Sequence, residues 1–212
     1  MYCIMLKSGN QSLMPKKLVL ASGSPRRLEL MSKAGYHFSV EVADVEESSD
    51  PSLPARQLTE GNALLKAQAI SVTHKEAVVI GADTLVFLES EPLGKPNNIE
   101  EAKCMLTRMV GKTHQVYTGV ALLHNSTAAE HVFHVITAVT FKALNEDEIS
   151  DYLQLINPLD KAGSYAAQEH GEKIISTIDG SYTNVVGLPM DELARYLSDK
   201  FDIRPERQDN QY

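Results

Sequence analysis

Apolar and polar positions along the chain repeat with two different periods, and the switches between them mark the elements. Leu18–Ala21 is an unbroken apolar run of strand length. Ser24, Pro25 and Gly35 follow it. A cap residue, a proline at the first helical position and a glycine past the end predict a helix between them. Tyr36–Val42 reads as a second strand, with the acidic loop Asp44-Val45-Glu46-Glu47 after it. From Pro54 to Val72 the spacing is helical, with Leu58, Leu65 and Ala69 as inward candidates. Ala77–Ala82 is short and wholly apolar, as a strand buried on both faces must be. It ends at Asp83-Thr84, and Val86–Leu88 continues it or pairs nearby.

Asn98 with Glu101 three residues on is a capping box, opening a helix that runs to Val110 and stops at Gly111. Val116–Leu123 and Val132–Phe141 read as two long β segments joined through Asn125-Ser126-Thr127. Asn145 and Glu148 form a second capping box, before a helix ending near Asn157-Pro158. Asp160–Gly163 is a charged turn, Lys173–Ile178 a strand, Asp179-Gly180 a turn and Ser181–Val186 a short β-like piece. Pro189–Phe201 is a closing amphipathic helix with Leu193, Tyr196 and Leu197 on one face. Buried parallel-type strands mixed with longer β pairs predict an α/β fold with a mixed sheet flanked by helices.

Length and composition narrow the class. A chain of 212 residues holds one large α/β domain or two small lobes with a proper core. With 43% apolar and 23% charged residues it is a folding sequence. The domain is expected over 18–201, with flexible ends at 1–17 and 202–212. A net charge of −8 argues against a protein that coats nucleic acid, though a small anion can still bind in a locally basic cleft. Cys3 and Cys104 belong to no CxxC or zinc spacing and read as reduced thiols of a cytoplasmic protein. No apolar run approaches the roughly 18 residues of a membrane span. The opening MYCIML is too short for a signal-peptide core.

The stretch ASGSPRR (21–27) places two arginines in the first turn of a helix, where acids are the usual choice. Free backbone N–H groups, the Ser22 and Ser24 hydroxyls, and the forked donors of Arg26 and Arg27 together suit a phosphate. The same residues equally fit a capped helix with two solvated arginines. Asp83, at the end of a buried strand, stands where α/β proteins place ligand groups. It suits a divalent ion or a proton transfer, and equally an Asx turn. Lys95 sits in the stiff turn Gly94-Lys95-Pro96, which can aim an ammonium into a cleft but by itself reads more readily as a plain turn, and Lys66 lies in a helix between Leu65 and Ala67, where a solvated lysine is the default. Glu46 and Glu47 either complete a metal site or form an exposed acidic loop. The clusters Asp160–Gly163 and Gly180–Asn184 are dense in turn residues and sit where strand ends line a cleft. The histidines form no HExxH pattern, and His131 and His134 read as structural.

Taken together, these pieces resemble the Maf proteins, septum formation inhibitors that are nucleoside triphosphate pyrophosphatases. The resemblance runs in order from Leu18 to Phe201. It rests on LASGSPRR (20–27), VEE (45–47), ALLKAQA (63–69), GADT (81–84), GKP (94–96), THQVYTGVAL (113–122), DKAGSYAAQEHG (160–171) and GSYTNVVGLP (180–189). One departure is visible: Ala166-Ala167-Gln168-Glu169 stands where the family pattern has Gly-Ile-Gln-Gly.

The resemblance implies an elongated mixed sheet with a cleft between two lobes, similar to the inosine triphosphatase fold, in a homodimer. It implies hydrolysis of a nucleoside triphosphate to the monophosphate and pyrophosphate, by metal-assisted attack of water on the α-phosphorus. The cofactor it implies is Mg²⁺ or Mn²⁺. Ser22, Ser24, Arg26 and Arg27 then bind the triphosphate, and Lys66 and Lys95 add charge. Glu47 and Asp83 hold the metal, with Asp83 as proton acceptor. Thr84 and Gln168 match the specificity positions of the dTTP/UTP branch, beside Arg26; a second branch prefers 7-methyl-GTP. Removal of modified pyrimidine nucleotides fits the same chemistry. The competing reading is a nucleotide-binding regulator of septum formation with little hydrolysis.

Overall fold

The computed structural model describes residues 17–206. The chain runs β1 (Lys17–Leu20), α1 (Pro25–Lys33), β2 (Ser39–Val40), α2 (Ala55–Ser71), β3 (Ala77–Leu88), β4 (Glu91–Leu93) and α3 (Ile99–Met109). It continues through β5 (Thr113–His124), β6 (Ala129–Phe141), α4 (Glu146–Leu155), α5 (Gly171–Ile174), β7 (Ile175–Asp179), α6 (Tyr182–Val186) and α7 (Met190–Phe201). One seven-stranded sheet results, in the order β2-β1-β3-β5-β6-β7, with β4 on β3. β1 is parallel to β2 and β3, and the remaining pairs are antiparallel. The sheet is therefore mixed, with helices on it, as the sequence predicts.

Strands β3 and β5 have 12 residues each and β6 has 13. At the usual rise they reach roughly 40 Å, far enough to serve two cores in succession. At one end Leu20, Ile80 and Leu122 pack under α1 and α7 through Met31, Leu193 and Leu197. On the opposite face there, Val19, Val79 and Ala121 pack on α2 through Ala63 and Ala67. Toward the other end Val86, Leu88 and Val116 pack with α3 and α4 through Leu106, Ile149 and Tyr152. In β3 only Thr84 and Leu85 are incompletely buried, and they lie where one core gives way to the next. The cleft opens there.

Helix α2 lies unusually close to the sheet. A Cβ on Gly81 would collide with the Ala63 carbonyl and stand 2.8 Å from the Ala67 nitrogen. A Cβ on Gly119 would collide with the Thr59 carbonyl. This contact sets the phase of the helix. Leu65, expected inward, is 37% exposed, and Ala69 is only partly covered. The buried face carries Leu58, as expected, with Thr59, Asn62, Ala63, Lys66, Ala67 and Ile70. Small residues must meet the glycines, so the larger leucine is turned outward.

Other local expectations change for identifiable reasons. Ser181–Val186 is helical from Tyr182, not β-like. Ser181 Oγ accepts the Asn184 N–H at 3.2 Å, and Gly187 at φ 124° ends the turn. That cap outweighs the β-branched propensity of the segment. The strand expected at Lys173 begins at Ile175, after the short α5. The second strand shrinks to Ser39–Val40. Ser24 sits at the N-cap of α1 but makes no side-chain cap. Asn98 and Asn145 do cap their helices. Of the expected N-terminal extension only Lys17 is described, and it opens β1. In the expected tail, Ile203 N–H donates to Leu197 O and Glu206 N–H to Gly35 O; 207–212 lie outside the described residues. Among the described residues, no helix is long and apolar enough to cross a membrane.

Candidate active site

The cleft has a volume of about 380 Å³, and all the sequence-predicted site residues except Ser22 line it. Asp83 and Thr84, adjacent on β3, project from the middle of the sheet. Asp83 is 6% exposed. Its Oδ1 accepts from Lys66 Nζ at 3.0 Å and its Oδ2 from Asn62 Nδ2 at 3.1 Å. Both donors come from the buried face of α2, which the glycine contacts press against β3. Lys66 also donates to Glu47 Oε2 at 2.6 Å, so one ammonium joins two carboxylates. Asn62 fixes the loop that carries Glu47, accepting the Ser48 N–H at 2.8 Å and donating to the Ser48 carbonyl at 3.0 Å.

Burial alone would raise the pKa of Asp83. The charges of Lys66 and Arg27, with the hydrogen bonds from Lys66 and Asn62, outweigh it and hold the carboxyl below its ordinary value. The group is thus an anion poised beside cations. Among the described residues no group of three or more His, Cys, Asp or Glu side chains is placed to hold a metal ion by itself. The available donors are the two carboxylates that converge on Lys66. That set suits Mg²⁺ or Mn²⁺, which take one or two carboxylates and fill their remaining positions from water and substrate phosphates. Glu47 and Asp83 would hold the ion.

The two arginines of α1 differ sharply. Arg27 is 8% exposed. Its Nε donates to Gly187 O at 2.8 Å, Nη1 to Ser22 Oγ at 3.1 Å and Ala82 O at 3.0 Å, and Nη2 to Thr84 Oγ1 at 2.9 Å. Four of its five N–H donors are taken by protein, leaving one for a ligand. Burial lowers its pKa, partly offset by Asp83. Ser22 serves Arg27 and the Ser24 N–H rather than the cleft. Arg26 faces across the cleft, donating from Nη1 to Asp160 Oδ2 at 3.0 Å and from Nη2 to Asp160 O at 3.3 Å. Burial raises the pKa of Asp160, but Lys161 and Arg26 together bring it below its ordinary value.

The far wall comes from the 160–169 loop. Lys161 is 4% exposed and donates to Asn157 O at 2.8 Å and Asp160 Oδ1 at 2.9 Å. Gly163, at φ 68°, gives its N–H to Gly94 O at 3.0 Å, which ties this loop to the turn bearing Lys95. Tyr165 is buried, with His114 Nε2 2.8 Å from its hydroxyl. Phe141 meets both rings edge-on. Gln168 lines the cleft beside Glu169. Thr84 Oγ1 also meets Thr118 Oγ1 at 3.0 Å, its cross-strand partner on β5.

The cleft therefore gathers Arg26, Arg27, Lys66, Lys95 and Lys161 against three carboxylates, Glu47, Asp83 and Asp160, a net positive lining in an acidic protein. Asn62 escapes sequence reasoning, although it lies four residues before Lys66 and so on the same face. A polar pair at that spacing among Leu58, Ala63, Ala67 and Ile70 is the signal that would find it. His131 packs at a tilt against Tyr196, with ring centroids 4.1 Å apart, and His134 pairs with Glu60; neither lines the cleft.

Comparison with known proteins gives three findings. The family model described as Maf-like protein matches residues 17–200. The chain is 48% identical over 181 residues to a dTTP/UTP pyrophosphatase of Akkermansia muciniphila, covering 85% of this chain and 95% of that one. It is 45% identical over 182 residues to a dTTP/UTP pyrophosphatase of Desulforamulus reducens, covering 86% and 95%. In structure it is similar to the Staphylococcus aureus Ham1 protein, with a TM-score of 0.50 at 15% identity, over 86% of this chain and 98% of that one. At that identity the likeness concerns the fold.

Proposed function

The chain belongs to the Maf family, and on that premise we propose that it is an enzyme that hydrolyses dTTP and UTP to the monophosphate and pyrophosphate. The observation that carries this reading is the junction of Lys66 with Asp83 and Glu47 at the floor of a cation-lined cleft. A nucleotide-binding site needs the cations alone. A buried, ionised carboxylate held by two donors beside them adds a group that can take a proton.

In the reaction a water oxygen bonds to the α-phosphorus, and the oxygen bridging to the β-phosphorus leaves with pyrophosphate. Asp83 takes the proton from the water. Lys66 and Asn62 fix its orientation. Arg26, Lys95 and the one spare N–H of Arg27 bind phosphate oxygens and stabilise the charge that grows on the leaving group. Arg26 exchanges the Asp160 carboxylate for phosphate when substrate enters. A divalent ion, when bound by Glu47 and Asp83, supplies compensation for phosphate charge and acidifies nearby water. Thr84, beside Arg27, and Gln168 face the pyrimidine. A side-chain amide matches the donor–acceptor edge of uracil or thymine.

The test is pyrophosphate release from dTTP, UTP, CTP, GTP and 7-methyl-GTP, with Mg²⁺ or Mn²⁺ and with EDTA. Metal-dependent release from dTTP and UTP is expected. Release from 7-methyl-GTP alone would overturn the assignment of the base site. Binding with no release from any nucleotide would overturn the enzyme and favour a regulator.

A further inference from the structure

Gln168 has an amide with two faces, and the structure uses only one of them. Its Nε2 donates to Glu169 Oε1 at 3.2 Å. Its Oε1 is buried and has no hydrogen-bond partner. A carboxylate can only accept, so Glu169 decides which end of the amide faces it and turns the carbonyl the other way. Glu169 is itself held, because its Oε2 lies 3.5 Å from the ammonium of Lys161, whose side chain is 5% exposed. The result is an oriented, unsatisfied acceptor on a side chain that lines the cleft. A buried acceptor without a donor is unfavourable until a donor arrives.

We propose that Glu169 is a specificity-positioning residue: it locks the Gln168 carbonyl to receive an N–H of the nucleobase and so selects uracil and thymine over cytosine. This rests on the pyrimidine triphosphate reading above. Uracil and thymine carry a ring N–H at N3. Cytosine carries a bare nitrogen there, and its lone pair would oppose the Gln168 carbonyl. An amide free to rotate would serve both rings, donating to cytosine through Nε2 and accepting from uracil through Oε1. Glu169 removes that freedom, so the site discriminates by leaving the wrong ring with facing acceptors.

The experiment compares kcat/KM for UTP, CTP and N3-methyl-UTP in the wild type, Glu169→Gln and Glu169→Asp. Glutamine at 169 keeps the shape but can donate as well as accept, so it releases the lock. The expected result is a fall of about tenfold in the UTP-to-CTP ratio for E169Q, the scale of one oriented hydrogen bond. E169D should retain the ratio, and the wild type should discriminate against N3-methyl-UTP. An unchanged ratio in E169Q would overturn the proposal. So would equal use of UTP and N3-methyl-UTP by the wild type, a result that needs no variant to fold. A wild type that releases no pyrophosphate from UTP or dTTP would instead sink the functional reading on which the proposal stands.

Discussion

Lys66 Nζ stands 3.0 Å from Asp83 Oδ1 with both side chains nearly withdrawn from solvent, and the same ammonium reaches Glu47. Helix α2, strand β3 and the acidic loop therefore meet at a single cation. Charge, orientation and access are set together at that point. The pair keeps Asp83 ionised while Asn62 occupies its other oxygen.

Asp83→Asn keeps the shape and the bond from Lys66 but removes the proton acceptor. Turnover of dTTP should fall by about 10³-fold or more, while nucleotide binding persists. Pyrophosphate release gives the first quantity, and calorimetric titration with a non-hydrolysable analogue gives the second. Turnover equal to the wild type would remove Asp83 from the role of base.

The neighbouring arginines should separate in their effects. Arg27→Ala leaves the carbonyls of Ala82 and Gly187 without their donors and should cost about 3 kcal/mol or more in urea unfolding. Lysine should rescue it poorly, because one ammonium cannot reproduce the fork. Arg26→Ala removes only a part-exposed pair with Asp160 and should change stability by about 1 kcal/mol or less while raising KM. Equal stability losses in the two variants would contradict the division of labour.

Gly81→Ala tests the seating of α2. The added methyl would collide with the Ala63 carbonyl, so the helix must move off the sheet. We expect a loss of roughly 2–3 kcal/mol in stability, with a drop in kcat because Asn62 and Lys66 ride on that helix. A variant as stable and as active as the wild type would show that α2 does not need this contact.

His114 predicts an acid-side loss of stability. Burial lowers its pKa from 6.5 to about 4 in the folded protein. The unfolded chain takes up this proton as pH falls below 6.5, whereas the folded protein resists until about 4. The contribution is therefore complete above pH 6.5 and is lost between there and 4, amounting to roughly 3 kcal/mol. Urea midpoints measured across that range should slope downward toward acid. His114→Gln should flatten the slope; an unchanged slope would place its origin elsewhere.

Much of this protein is legible along the chain. Runs such as Val78–Ile80 mark the buried strand, and Asn98/Glu101 and Asn145/Glu148 mark helix starts, because both signals are local. The membership of the cleft is legible too. Paired arginines at a helix start, Asp83 at the end of an apolar run and Lys95 between glycine and proline stand out in the sequence, and the structure brings them to one cleft.

Other features depend on partners distant in sequence, and only the tertiary structure decides them. Arg27 becomes a buried framework because Gly187, 160 residues away, brings it a carbonyl, while Arg26 finds Asp160 134 residues away. The two residues are adjacent and chemically identical, so nothing local could tell them apart. Leu65 faces outward and Asn62 inward because Gly81 and Gly119 admit only small residues opposite them. The sequence by itself determined which groups the cleft could contain. Folding determined which of them are saturated by protein and which remain free for a ligand, because hydrogen-bond capacity is limited and burial requires that it be filled.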